Sequence, residues 1–219
     1  FSYIKGVNLI LTGHKGLKSS DELNELLQMC GHILKTLRLC SLNITGEELI
    51  GSNIALKFLE NLTIEHCDHI TDIGFAQLLY ACAESLKSLK LSHYAEMQSC
   101  LNINKKLTRP FHKIEEMDLS GISEKALNVL FEASKVSLKK LKLCSINIIG
   151  DELNTFECVL EKLETLQLDW CKFTEQGFYE LMRIVKPNLR TLIMNCDELT
   201  WEEQAGKHLC LGKLTKLKI

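Results

Sequence analysis

The amino-acid sequence predicts an α/β solenoid, a curved stack of about nine short parallel strands with helices and short turns on the opposite side. The first observation behind this prediction is a recurring sequence motif, or phrase, which is a short segment with an apolar residue at its positions 1, 4 and 6. Its openings are Ile4, Leu34, Leu59, Leu86, Ile114, Leu138, Leu163, Leu189 and Leu214, spaced by 24 to 30 residues. A period in this range with a strand-like core is typical of solenoids.

The second observation is the alternation inside each phrase. In Leu37-Arg38-Leu39 and Leu141-Lys142-Leu143 the leucines share one face of a strand and the basic residue takes the other. One such strand cannot bury its apolar face alone. Nine strands side by side bury a continuous leucine core, in which each side chain contributes roughly 1.5–3 kcal/mol.

The third observation is a helix-start signal between successive phrases. The segments are Ser20-Asp21-Glu22-Leu23, Thr71-Asp72, Ser123-Glu124-Lys125-Ala126 and Thr174-Glu175. Their hydroxyl and carboxylate groups can cap exposed amides and suit a helix N-terminus. The Leu34 and Leu138 repeats carry Gly46, Gly51 and Gly150 instead, so we expect one helical turn or less there. Residues 95–113 are expected to form an irregular excursion.

A longer periodicity indicates that the array grew by duplication. Residues 37–67 and 141–171 align without a gap at an offset of 104, with 14 identities in 31 positions. We interpret this as duplication of a block of four repeats. It argues against a site built once from irreplaceable residues.

The residues of the repeats carry a family resemblance. One repeat runs Leu59, Leu62, Ile64, Cys67, Ile70, Thr71, Asp72, Gly74, Phe75, Leu78, Cys82, and another runs Leu163, Leu166, Leu168, Cys171, Phe173, Thr174, Glu175, Gly177, Phe178, Leu181. This resembles leucine-rich repeats of the cysteine-containing and ribonuclease-inhibitor types. The leucine skeleton extends over essentially the whole chain, whereas the Cys-x-x-Ile-Thr-Asp-x-Gly signature is complete only in the Leu59 repeat. The resemblance implies a horseshoe with strands on its concave face and helices and turns on its convex face.

Composition limits the classes of partner. Net charge is −2, so no general electrostatic attraction favours nucleic acid or anionic membrane. The sequence contains no apolar run of 18 residues and opens with no signal-peptide pattern. We expect a single domain over residues 1–219. Phe1 is not a starting methionine and Ile219 falls inside a repeat, so we also expect a segment excised from a longer protein, its ends covered by flanking repeats or domains.

Ten cysteines are scattered through the array instead of being concentrated at its ends. This favours reduced, structural cysteines and a cytoplasmic setting. Cys67 and Cys171 occupy an inward position where a thiol can donate weakly to backbone carbonyls. Two glycosylation sequons, Asn43-Ile44-Thr45 and Asn61-Leu62-Thr63, leave a secreted receptor as an alternative.

No motif in the sequence indicates catalysis. His66-Cys67-Asp68-His69 groups possible metal ligands, but no Cys-x-x-Cys pair accompanies it and Cys67 should point into the core. No spacing supplies a base for a cysteine nucleophile, and no phosphate-binding glycine loop is present. We therefore expect a protein that is not an enzyme and carries no cofactor or metal.

The expected binding surface is the concave face. Position 5 of the repeats is Asn8, Arg38, Thr63, Lys90, Asp118, Lys142, Gln167, Ile193 and Lys218, and the next outward column holds Leu11, Ser41, His66, His93, Gly121, Ser145, Trp170 and Cys196. Trp170 and Ile193 gain nothing by facing water, and charges alternate around them. The predicted partner-binding residues are Arg38, Glu65, His66, Lys90, His93, Asp118, Lys142, Asp169, Trp170 and Ile193. An aromatic anchor within a polar rim is a common interface arrangement.

The size of the face favours a protein or peptide ligand over a metabolite, which would need a pocket. The irregular repeat lengths and the block duplication are similar to the sensor arrays of NOD-like innate immune receptors. Cysteine-type repeats are also similar to the substrate-binding arrays of F-box ubiquitin ligase adaptors. A purely structural spacer is a third alternative. The sequence does not identify the partner or the oligomeric state.

Overall fold

The computed structural model describes residues 6–13, 20–47, 54, 56–67, 69–92, 109–157, 159–196, 213 and 215–218. Within them a sheet of nine strands is parallel throughout, in the order β1-β2-β3-β4-β5-β6-β8-β10-β11. Each strand therefore pairs with the strand of the preceding repeat. The sequence prediction of an α/β fold with nine parallel strands is confirmed.

The strands are short and evenly placed along the chain. The sheet contains β1 (Val7–Thr12), β2 (Leu34–Cys40), β3 (Asn61–Glu65), β4 (Ser88–Ser92), β5 (Glu116–Ser120), β6 (Lys140–Cys144), β8 (Thr165–Asp169), β10 (Thr191–Asn195) and β11 (Lys216–Lys218). A separate parallel pair joins β7 (Asn147–Ile148) to β9 (Lys172–Phe173). This second pair was not expected from the sequence.

The register of the sheet aligns the apolar positions of the repeats. Leu37, Leu62, Leu89, Met117, Leu141, Leu166, Leu192 and Leu217 form one column of register partners. The members from Leu37 to Leu192 are at most 2% exposed. The alternation predicted for β2 to β10 is therefore correct, and these strands bury the face that the sequence indicated, whereas Leu217 on β11 is 55% exposed.

The first repeat is displaced by two residues from the predicted frame. Leu9 pairs with Leu37 and Leu11 pairs with Leu39, so Ile10, not Asn8, is the register partner of Arg38. Leu11 lies on the inward face of β1 and not in the predicted outward column. The prediction failed because an alternating strand satisfies the same pattern in two frames two residues apart. Only the pairing with β2 distinguishes them.

In the described part of the chain, four helices of 11 residues connect strands: α1 (Ser20–Cys30), α2 (Asp72–Cys82), α3 (Glu124–Ser134) and α4 (Glu175–Val185). Three begin at the predicted caps. Thr71 accepts from the Gly74 amide, Ser123 from that of Ala126 and Thr174 from that of Gly177, at 3.0–3.2 Å. Such caps satisfy amides that the first helical turn leaves without partners.

The glycine-containing return of the Leu138 repeat is short, as predicted, with a 3-10 turn over Leu153–Thr155. Part of the corresponding Leu34 return lies outside the described residues. Of the expected irregular excursion, residues 109–113 contain no helix or strand, and the remainder lies outside the described residues. Inward strand residues and helix residues such as Leu78, Leu127 and Leu181 form one buried apolar cluster.

Candidate functional site

The strands leave one face of the sheet uncovered by the helices, here termed the open face. Its middle row runs along β2 to β10 as register partners Arg38, Thr63, Lys90, Asp118, Lys142, Gln167 and Ile193. The row beside it, at the carboxyl ends of the strands, holds Cys40, Glu65, Ser92, Ser120, Cys144, Asp169 and Asn195. None of the middle-row side chains is buried.

Glu65 is the centre of an ion-pair cluster that spans three strands. Its carboxylate lies 2.6 Å from the Arg38 guanidinium on β2 and 2.9 Å from the Lys90 ammonium on β4. The Cys40 thiol donates to the same carboxylate at 3.3 Å. Partial burial opposes ionisation, but the hydrogen bonds from Lys90, Arg38 and Cys40 outweigh it and lower the pKa of Glu65 to about 2. The single negative charge of Glu65 thus neutralises only one of the two positive charges of Arg38 and Lys90.

Asp169 is the centre of a second cluster on the other half of the face. It is 8% exposed and accepts from Asn195 at 2.7 Å and from Gln167 at 2.8 Å, with the Lys142 ammonium at 3.1 Å. Burial opposes its ionisation, yet these donors together lower the pKa of Asp169. Asp169 and Asp118 both favour the charged form of Lys142, whose pKa is raised.

The residues directly after the strands form a column of tight corners. Ser41, His66, Ser145 and Trp170 have φ of 51–56°, and Gly121 has φ of 65°. The amide of each donates to the strand-end carbonyl of the next repeat, as from His66 to Ser92 and from Trp170 to Asn195. The left-handed conformation therefore belongs to the repeat geometry, because glycine and serine adopt it as well. It is not by itself a sign of function.

The structure brings most of the predicted binding residues together on this face. Arg38, Glu65 and Lys90 are in contact, as are Lys142 and Asp169, while Asp118 lies between the two lysines in the middle row. Trp170 is 60% exposed at the corner after β8, and Ile193 is half-buried on β10. His66 is exposed after β3. His93 lies outside the described residues.

Sequence reasoning missed a charge ladder at the amino ends of the strands. Position 2 of successive repeats alternates in sign: Lys35, Glu60, Lys87, Glu115, Lys139, Glu164 and Arg190. Glu60 lies 3.5 Å from Lys35 and 2.9 Å from Lys87, and Lys139 lies 2.8 Å from Glu115. Aligning the repeats and comparing charge at position 2 would have revealed it. Adjacent opposite charges largely cancel, so this edge contributes little long-range field.

The buried thiols have structural roles. The Cys67 thiol donates to the Glu65 carbonyl at 3.5 Å, and the Cys171 thiol donates to the Leu143 and Asp169 carbonyls at 3.4 and 3.5 Å, as predicted for this inward position. Burial raises the pKa of Cys82 and of Cys171 to about 12. These two thiols stay protonated at neutral pH and are therefore poor nucleophiles.

The described part of the chain offers little for small-molecule or metal chemistry. No three of its His, Cys, Asp or Glu side chains are grouped closely enough to hold a metal ion. Within the same residues, no helix is long and apolar enough to span a bilayer. A cavity beside α3 is lined by Pro110, His112 and Val129, and its two charges, Glu132 and Lys135, pair with each other at 2.7 Å.

The open face is thus a row of charged and polar side chains, several of them paired, that ends near an exposed tryptophan. Comparison with known proteins adds no relative from which a role could be taken. No protein-family model matches the chain, and no curated protein sequence matches it.

Proposed function

We propose that this chain is a leucine-rich repeat array that binds a protein or peptide partner through the open face, in a recognition and not a catalytic role. The observation that carries the proposal is Trp170, an aromatic side chain 60% exposed beside the ordered Asp169 cluster. A large exposed aromatic group with a preorganised polar surround suits an interface anchor, because its burial by a partner releases water from a large apolar surface.

The dimensions of the face support a macromolecular partner. Seven strands from β2 to β10 are separated by roughly 4.8 Å each, so the face spans about 29 Å across the strands. A specific interface uses about 800 Å² on each partner. An extended peptide or one side of a folded domain fits this span, whereas a metabolite requires an enclosed site.

The biological setting follows from the resemblance of the repeats. We infer the ligand-sensing segment of a NOD-like innate immune receptor in the cytoplasm, because of the irregular repeat lengths and the duplicated block. The alternatives are the substrate-binding segment of an F-box adaptor and a secreted receptor. The sequence of a full transcript that encodes this chain separates the first two: a P-loop in it supports the receptor, and an F-box supports the adaptor.

The test compares two variants of the full-length protein, each with one exposed aromatic side chain replaced by alanine. Trp170 lies at the open face and Tyr179 lies on α4 with 52% exposure, so Tyr179→Ala is the matched control for Trp170→Ala. After affinity purification from cells, proteins retained by the wild type and by Tyr179→Ala should be depleted with Trp170→Ala. Equal retention by both variants would favour a structural spacer, and depletion only with Tyr179→Ala would place binding on the helix side.

A further inference from the structure

The two clusters of the open face carry opposite net charge. Arg38 and Lys90 share the single carboxylate of Glu65, which leaves a net charge of +1 over β2 to β4. Lys142 lies against Asp169 and is within electrostatic reach of Asp118, which leaves −1 over β5 to β8. The face is therefore neutral as a whole but polar along its length.

In both clusters the cations reach solvent more than the carboxylates, since Lys142 is 38% exposed while the Asp169 side chain is 11% exposed. In the first cluster the cations project, since Arg38 and Lys90 are 48% and 43% exposed while Glu65 is 12% exposed. An approaching group therefore meets two ammonium or guanidinium donors above a recessed carboxylate. This half suits a carboxylate of the partner, positioned over β3 where the middle row holds the uncharged Thr63.

The second half adds neutral acceptors beside the projecting Lys142 ammonium. Asn195 and Gln167 both donate their amide nitrogens to Asp169, so their carbonyl oxygens must point away from it. Within the described residues neither oxygen is buried without a partner. Trp170, whose ring is exposed, is the residue directly after Asp169. Amide oxygens, a negative centre and an aromatic ring together suit a guanidinium or ammonium group.

Neighbouring charges do not erase this polarity. The outward residues of β1 are Asn8, Ile10 and Thr12, all uncharged. Lys140 and Glu116 neutralise each other at 2.5 Å. Among the described residues, the next cations on the open face itself are on β11, two strands from β8, about 10 Å away and so about one Debye length at 0.1 M salt.

We propose that the open face selects an extended segment of a partner protein that bears a carboxylate and a cationic side chain about 19 Å apart. This distance is four strand spacings, from β3 to β8. Six residues of extended chain span about 20 Å. Residues i and i+6 also share a face in both a β-strand and a polyproline II helix, which repeat every two and three residues. The proposal rests on binding at the open face and adds the chemistry and spacing of the ligand.

The test uses a display library of 12-residue peptides in which one acidic and one basic position vary in separation. The library is selected on folded wild-type protein, on Lys90→Gln, on Asp118→Asn and on Trp170→Ala at low salt. Controls that remove the same charges from the edge ladder, away from the middle row, are Lys87→Gln and Glu164→Gln. Enrichment is counted by sequencing before and after selection.

In the wild type, peptides with the two charges six residues apart should be enriched over those with a separation of three. Lys90→Gln should reduce the preference for the acid by about twofold to fivefold and leave the basic preference intact, and Asp118→Asn should do the converse. The edge controls Lys87→Gln and Glu164→Gln should change neither the acidic nor the basic preference of the selected peptides.

The possible failures separate the two proposals. In one failure, selected peptides lose binding to Trp170→Ala and yet show no preferred separation between their acidic and basic residues. That result would overturn the proposed ligand with two opposite charges, but recognition through the open face would still stand. The same conclusion follows if Lys90→Gln and Asp118→Asn weaken both preferences equally. If no selected peptide depends on Trp170 or on any middle-row residue, recognition through the open face itself is contradicted.

Discussion

Gly74 near the start of α2 lies directly against the backbone of Gly46 in the preceding repeat. A Cβ atom on Gly74 would lie 2.7 Å from the Cα of Gly46 and 2.1 Å from the Thr45 carbonyl oxygen. Gly177 of α4 meets the segment that ends at Gly150 in the same way, with its Cβ position 2.1 Å from the Ile148 carbonyl oxygen. The crossing of two backbones thus recurs in both copies of the duplicated block.

Gly74→Ala and Gly177→Ala should each destabilise the protein by about 1–3 kcal/mol through overpacking, although alanine is the better helix former. At the equivalent position of α3 the chain already has Ala126, fully buried, so Ala126→Gly is the reverse control and should also be destabilising. Chemical denaturation measures all three. Unchanged stability of Gly74→Ala would contradict the close crossing.

Glu124→Ala should cost at least about 2 kcal/mol, because it leaves buried backbone donors without an acceptor. The Glu124 carboxylate accepts from the amides of Ile149, Gly150 and Leu153, at 2.9–3.2 Å, and so holds the short return of the next repeat against α3. Glu175 occupies the same helical position in α4 but is exposed. Glu175→Ala should lose only about 0.3–1 kcal/mol from the helix dipole. Equal losses of unfolding free energy for Glu124→Ala and Glu175→Ala in urea denaturation would disprove this role of the Glu124 carboxylate.

The contribution of Glu65 to stability should disappear in acid. Its pKa in the folded protein is about 2, below the ordinary 4.5, so the folded state favours the charged form. That contribution is complete above pH 4.5 and is lost as the pH falls toward 2. The difference in unfolding free energy between the wild type and Glu65→Gln should therefore narrow over this range. A difference between the wild type and Glu65→Gln that stays constant from pH 4.5 to pH 2 would refute the assignment.

Trp170 should tolerate glycine better than a β-branched residue, because its φ is 56°. Trp170→Val should be less stable than Trp170→Gly by roughly 1–3 kcal/mol, the cost of strain in the left-handed region. Ile193 on strand β10 should show the opposite order, with Ile193→Gly less stable than Ile193→Val. Thermal unfolding of the four variants measures both orders of stability.

Trp170→Ala should leave the melting temperature nearly unchanged, because alanine meets similar strain at this position. The double variant His66→Ala with His93→Ala should also leave the melting temperature nearly unchanged.

Leu62→Ala and Leu166→Ala should each cost roughly 2–5 kcal/mol by opening a core cavity. Both side chains are at most 1% exposed. Leu217 holds the same place in its repeat but is 55% exposed on β11, so Leu217→Ala is the matched control and should be nearly neutral. Denaturant midpoints distinguish the two cases. A large loss at Leu217 alone would mean that the core lies elsewhere.

Much of the fold could be predicted from local sequence. The caps Thr71, Ser123 and Thr174 precede helices because a hydroxyl followed by an acid suits a helix start wherever it occurs. The inward leucines from β2 onward follow from alternation alone. The frame of the first repeat could not be predicted, because the strand VNLILT fits two frames and its register with β2 shifts between Val7 and Asn8.

The candidate site was predictable as a set of residues but not as a set of contacts. Alternation identified Arg38, Lys90 and Lys142 as outward residues. It did not show that Arg38 and Lys90 share Glu65, or that Gln167 and Asn195 both bind Asp169. These contacts join residues of different repeats, and long side chains choose partners only once the strands are in register.

The sequence by itself determined the repeat, the strand and helix positions and the identity of the buried face, because these depend on a chain's period and on its nearest neighbours. The tertiary structure alone decided the frame of β1, the glycine crossings and the opposite charge of the two halves of the open face. Each of these depends on atoms about 25 residues apart in the chain that the parallel sheet brings to within a few ångströms.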